Sequence, residues 1–228
     1  MNRATRIIVS TFGVILGIAG MNHGFFEVLQ GNTPANGLII QAIGEANRMW
    51  IHGSEEAFTI VPNFLITGLL AMAVGLAIII WSVGFIHTKY GPRIFILLFV
   101  LLFLVGGGIG QIVFFLPTWA ASTRINKPLT WWRKVLPLNL RRVLAGLWPA
   151  SLIAGSVCFL IALEIAIFGF VPGVADPDQI LAICWTFLFI GLALLLFTFV
   201  AGFAADIQAM EGTAPGTVEA AIVPELRG

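Results

Sequence analysis

His23, Glu27 and Gln30 stand near the end of a long apolar run, Ile7 to Leu29. A helix advances about 100° per residue, so these side chains fall within roughly 60° of one another on one face. An imidazole and a carboxylate four residues apart suit two chemistries. They can relay a proton, because a histidine beside a carboxylate titrates near neutral pH. They can ligate a metal through nitrogen and oxygen, with His52 and Glu55 as further donors. The plainer reading is structural: close to a helix end, His23 and Glu27 can bond each other, Asn63 or nearby backbone. An isolated His-x-x-x-Glu falls well short of the His-Glu-x-x-His helix of metalloproteases.

Other catalytic arrangements lack support. There is no G-x-S-x-G, and the three histidines are His23, His52 and His87. No catalytic residue is assigned and no cofactor is specified, although a metal- or haem-dependent membrane enzyme stays open as an alternative. His87, beside Lys89 and Tyr90, reads as an interfacial anchor. Cys158 and Cys184 sit inside apolar runs and read as small buried hydrophobes, without metal spacing.

The elements that must position these groups follow from composition. The chain has 228 residues, is 59% hydrophobic and 10% charged, with mean hydropathy +1.00. Soluble domains carry about 25% charge. The fold class expected is therefore an all-α integral membrane protein, in the cell membrane, with the bilayer as its first partner. A net charge of +1 and the absence of a basic groove lined with stacking aromatics argue against a nucleic-acid partner. A basic start at Arg3 and Arg6 imitates a signal peptide, but the apolar run continues to Leu29 with no A-x-A-like site, so a retained helix is expected.

Five apolar runs reach the roughly 20 residues needed to cross a bilayer. They cover about 7–29, 58–86, 94–117, 146–171 and 180–204, giving one bundle over 1–205. Pro62 and Pro149 fall in the first turns of their runs, where a missing N–H is tolerated. Between the first two runs, Leu38–Trp50 is mildly amphipathic and suggests a short surface helix. Residues 206–228 are acidic, with Gly, Pro and Ala, and read as a disordered tail. No internal repeat is visible.

Five crossings put loop one (residues 30–57), loop three (120–145) and the tail on one side. That side holds more Lys and Arg, which makes it cytoplasmic; Arg3 and Arg6 before the first run argue the other way. The same zigzag brings His23, Glu27 and Gln30 to the level of Thr59, Asn63, Thr67 and Gln111. A polar pocket built from His23, Glu27, Gln30, Asn63 and Gln111 is the expected site, open to that side and capped by loop one. Glu164 falls near the opposite side, too far along the axis to join His23. A lone carboxylate at that depth costs about 2.5–3.5 kcal/mol, so it is neutral, hydrated near the interface, or a stage of a proton path.

Gly106-Gly107-Gly108-Ile109-Gly110 interrupts the third run. Each glycine costs a helix about 1 kcal/mol, so a cluster demands a reason. One reason is close packing through G-x-x-x-G faces, matched by Gly13/Gly17 and Gly20/Gly24 in the first run. The other is an unwound helix whose carbonyls line a site. Loop three carries Arg124, Lys127, Arg133, Lys134, Arg141 and Arg142 around Trp131-Trp132, a composition suited to anionic lipid or to an acidic partner.

The function expected is small-molecule or proton-coupled binding or transport at this pocket. An accessory membrane subunit without chemistry, with a membrane-protein partner or a second copy of the chain, is the remaining alternative.

Overall fold

Small residues at seven-residue intervals join the first two helices, α1 (Arg3–Leu29) and α2 (Phe64–Gly84). In the computed structural model, which describes residues 1–212, they run antiparallel. A Cβ on Gly17 would lie 2.7 Å from the Gly75 carbonyl oxygen, and one on Gly24 2.6 Å from that of Gly68. One interval further, Ser10 Oγ donates to the Ser82 carbonyl at 2.7 Å. Side chains of any size would force the backbones apart, and such close approach repays the helix cost of glycine. Gly17 and Gly24 of α1 therefore serve α2, while Gly20 faces the third run at Leu102 and Gly13 lies between Ser82 of α2 and Phe95 of the third run.

The third apolar run does not form one helix. It is α3 (Gly91–Leu104) and α4 (Ile112–Ser122), joined by an unwound segment, Val105–Gln111. Gly106 and Gly108 adopt φ of +100° and +89°, which side-chain-bearing residues rarely adopt. The peptide groups that leave the helix find partners on the chain entering α2. Ile60 N donates to Leu104 O at 2.9 Å and Gly106 N to Phe58 O at 3.0 Å. Thr67 Oγ1 donates to Val105 O at 2.7 Å.

Beyond this turn α4 folds back along α3, and Phe99 stacks on Phe115 at 3.4 Å between centroids. Asn126 donates to the carbonyl of His87 at 2.6 Å, and Asn2 N to that of Ile125 at 2.7 Å. Both outer ends of the α3–α4 hairpin therefore lie with the start of α1. At 14 and 11 residues, the two helices are about 21 and 17 Å long.

The remaining helices are the short α5 (Thr130–Val135) and the antiparallel pair α6 (Leu138–Phe168) and α7 (Pro177–Gly212). α7 ends beside the start of α1. There Asp206 accepts from Ala4 N and Thr5 N, both at 2.9 Å, and from Thr5 Oγ1 at 2.6 Å. A buried carboxylate thus satisfies helix-start amides that have no partner within α1. Phe12 against Phe199 and Gly202 beneath Ile8 continue this contact.

The chain between α1 and α2 is not a surface helix. Ile39–Ile43 (β1) and Glu55–Phe58 (β2) form an antiparallel hairpin, with Ile39 opposite Phe58 and an irregularity between Gln41 and Ile43. Its β-branched isoleucines suit a strand, and Ile40, Ala42 and Ala57 pack on Ala35 and Phe64.

The protein is mostly helical, and four helices, α1, α2, α6 and α7, are long and apolar enough to cross a membrane. Much of their apolar surface faces outward, including Leu69, Leu76 and Ile80 of α2, Ile153 and Leu160 of α6, and Phe189 of α7. Several expectations change. Residues 94–117 fall in two short helices and a turn rather than in one long helix, and the small hairpin qualifies the all-α reading. Pro62 precedes the α2 cap, and Pro149 lies inside α6. Residues 206–212 continue α7, while the rest of the acidic tail lies outside the described residues.

One reversal explains most of the rest. Because the third run returns to the end it started from, everything after it changes ends. Loop three sits opposite loop one rather than beside it. Glu164, in the last turn of α6, is exposed at the same end as His23. Every described Lys and Arg except Arg48 lies toward the end that holds the start of α1.

Candidate functional site

The far end, away from those basic residues, contains a cavity of about 540 Å³. It lies between α1, the unwound segment, the β-hairpin loop and the α6–α7 pair. At the basic end Phe12 of α1 meets Phe199 of α7, and at the far end Phe26 of α1 clusters with Ile167 and Leu163 of α6. Phe114 meets Phe159 edge-on at 4.6 Å and both line the cavity wall. Most of the lining is apolar: Ala162 and Leu163 from α6, Leu181, Trp185 and Leu188 from α7. The exposed lining residues His52, Glu56, Gly110 and Trp185 mark its mouth.

The hairpin loop closes over the cavity by two contacts with the α6–α7 pair. Trp50 Nε1 donates to the Ala166 carbonyl at 2.9 Å, and Gly169, the left-handed C-cap of α6, leaves room for its ring. His52 Nε2 pairs with Asp178 Oδ1 at 2.9 Å.

One wall is polar. His23 Nε2 meets Glu55 Oε2 at 2.8 Å, with His23 buried and the Glu55 side chain 31% exposed. Burial alone would raise the Glu55 carboxyl, but the positive charge of His23 and its hydrogen bond outweigh this and hold it below the ordinary carboxylate range. Gln111 Nε2 donates to the Gly107 carbonyl, one turn earlier, which fixes its amide orientation and leaves Oε1 buried without a hydrogen bond.

Glu27 stands behind this wall. It is fully buried, and neither carboxylate oxygen has a hydrogen-bond partner among the described residues. A side chain at Gly106 would collide with its carboxylate. One at Gly108 would come within 2.6 Å of His23 Nε2. The glycine cluster therefore does two jobs: it lets the chain turn, and it makes room for Glu27 and His23.

The pocket expected from sequence is only partly assembled. His23 and Gln111 line the cavity, and Glu27 abuts the segment that forms its wall. Gln30 instead donates to the carbonyls of Gln41 and Ala42, both at 2.9 Å, fastening α1 to β1. Asn63 caps α2, accepting from Ile66 N at 3.1 Å and donating to Asn32. Thr59 and Thr67 bond each other at 2.7 Å and pin the unwound segment. Of the metal donors His23, Glu27, His52 and Glu55, only His23 and Glu55 meet; His52 is taken by Asp178. Among the described residues no three His, Cys, Asp or Glu side chains group closely enough to hold a metal ion.

Trp50, Asp178 and Trp185 escaped the sequence reading. Trp50 was findable, as a large aromatic in a polar loop between Gly44 and Gly53. Asp178 and Trp185 were not, because their position depends on α7 starting at the same end as loop one. Cys184 also lines the cavity and is half-buried rather than buried.

No known protein family, curated protein or solved structure matches this chain.

Proposed function

We propose that this is an integral membrane protein of the cell membrane that binds a small, largely apolar molecule with one polar end. The cavity supports this reading: apolar walls from α4, α6 and α7 face a single polar wall of His23, Glu55 and Gln111. Volumes of 300–1,000 Å³ with few, convergent polar groups are typical of small-molecule sites. A core of aromatic and aliphatic side chains, including Phe12, Phe95 and Phe115, fills the bundle toward the basic end, which favours binding from one side over a continuous path.

In this reading α1, α2, α6 and α7 cross the bilayer, and α3–α4 enters and leaves on one side. Non-helical backbone at that depth is tolerated when it is buried in protein, as Val105–Gly108 are. The concentration of Lys and Arg at one end makes that end cytoplasmic. The cavity then opens on the outer half of the membrane. Arg133, Lys134 and the exposed Trp131 of α5 would meet anionic headgroups of the inner leaflet.

The test is photolabelling in nanodiscs with a phenylalkyl alcohol bearing a diazirine. Labelling concentrated on cavity peptides around Phe159, Cys184 and Leu188 supports the reading. Labelling spread over the outward faces of α2 and α3, with none in the cavity, refutes it.

A further inference from the structure

We propose that the cavity selects a lipophilic amine, an apolar body carrying one protonated nitrogen. This rests on the small-molecule reading and names the chemistry of the ligand's polar end. No Lys or Arg lines the cavity, whereas Glu55 and Glu56 both do. The two histidines that line it are each engaged by a carboxylate, His23 by Glu55 and His52 by Asp178. Three of its side-chain donors are committed elsewhere, Gln111 Nε2 to Gly107, Trp50 Nε1 to Ala166 and His23 Nε2 to Glu55, while the unpartnered His23 Nδ1 is buried. Acceptors remain. Glu56 is exposed at the mouth, and Glu55 has a second oxygen. A carboxylate or phosphate ligand would find the like charge of Glu56, and a neutral one would make only a weaker contact with it. An ammonium group supplies N–H donors to the second oxygen of Glu55 and meets the negative charge of Glu56, the lining carboxylate with no ion pair among the described residues. Trp50, Trp185, Phe114 and Phe159 line the space, and aromatic rings favour a cation over a neutral group of the same size.

The experiment is competition against diazirine labelling of the cavity by three near-isosteric probes: phenylbutylamine, phenylbutanol and phenylbutyrate. The amine is expected to displace the label at a concentration about tenfold lower than the alcohol, the scale of one charge-assisted contact, with the acid weakest. Glu56→Gln, on an exposed side chain, should reduce that preference without disturbing the fold, and Glu55→Gln should reduce it further. Equal competition by amine and alcohol, or preference for the acid, overturns the amine assignment and leaves the small-molecule cavity standing. An amine preference that survives both Gln variants overturns the role given to the carboxylates. If the cavity takes no label at all, the small-molecule reading itself falls.

Discussion

His23 and Glu55 meet at 2.8 Å across two elements of different kinds, a helix and a strand 32 positions later. Their contact fastens the β-hairpin to α1 and sets the polar wall of the cavity. Holding Glu55 below the ordinary carboxylate range has a consequence for stability. A carboxyl whose folded value is depressed stabilises the fold above its unfolded value and loses that stabilisation as pH falls toward the folded one.

The unfolded carboxyl titrates near 4.5, so the loss should begin around that pH and continue below it. Thermal unfolding followed from pH 7 downward should show wild type losing more stability over this acid range than Glu55→Gln. Parallel curves for the two proteins would mean that the pair carries no net stabilisation.

Asp206 should matter as much at the other end. It accepts three hydrogen bonds from the first turn of α1 and is itself buried. Hydrogen bonds to a charged group are worth about 1.5–3 kcal/mol, and donors left buried without partners add to the loss. Asp206→Ala is therefore expected to destabilise by about 3 kcal/mol. Asp206→Asn, which keeps one acceptor, should fall between. A chemical unfolding series in detergent measures both, and a neutral Asp206→Ala would remove the proposed cap.

The glycine cluster divides cleanly. Gly106 combines a positive φ with the Glu27 carboxylate in the place of its side chain, while Gly110 has open space around it. Gly106→Ala should cost on the order of 1–3 kcal/mol from backbone strain alone. Gly110→Ala should stay within about 0.5 kcal/mol of wild type. Equal effects at the two positions, read from unfolding temperatures, would contradict an unwound segment at Val105–Gln111.

Sidedness separates four crossings from five. Cysteines introduced at Asn126 and Thr88 in a background without Cys158 and Cys184 should label from the same side, and that side should be cytoplasmic. A cysteine at Asn47 should label from the outside. If Asn126 and Asn47 label together, residues 94–117 cross after all.

The helical character and the identity of α1, α2, α6 and α7 were legible in the sequence, because long uncharged runs have few alternatives to helices. So were a polar position for His23 and, as one of two readings, an unwound segment at Gly106–Gly110. The ends of the later helices were not legible, for one reason. Residues 94–117 are as apolar as a span, and hydropathy does not register that Gly106 and Gly108 turn the chain around. Each count after that point inherits the error, which is why Glu164 and loop three changed ends. Gln30 and Asn63 were misread for a second reason. A polar residue on a helix face and one satisfying a strand carbonyl or a helix start look alike until the hairpin Ile39–Phe58 is known. Glu55 and His52, expected as further metal donors beside His23 and Glu27, instead pair with His23 and Asp178.

The central claim is that the space between α4, α6 and α7 is a binding site. Ala162 is a buried, small lining residue, and Ala162→Phe would fill part of the cavity while staying apolar. The direct measurement is diazirine labelling of wild type and Ala162→Phe, in nanodiscs, quantified peptide by peptide. Label on the peptides around Cys184 and Leu188 that is at least halved in the variant, with lipid-facing peptides of α2 unchanged, is the predicted result. Identical labelling of a folded Ala162→Phe protein would contradict it.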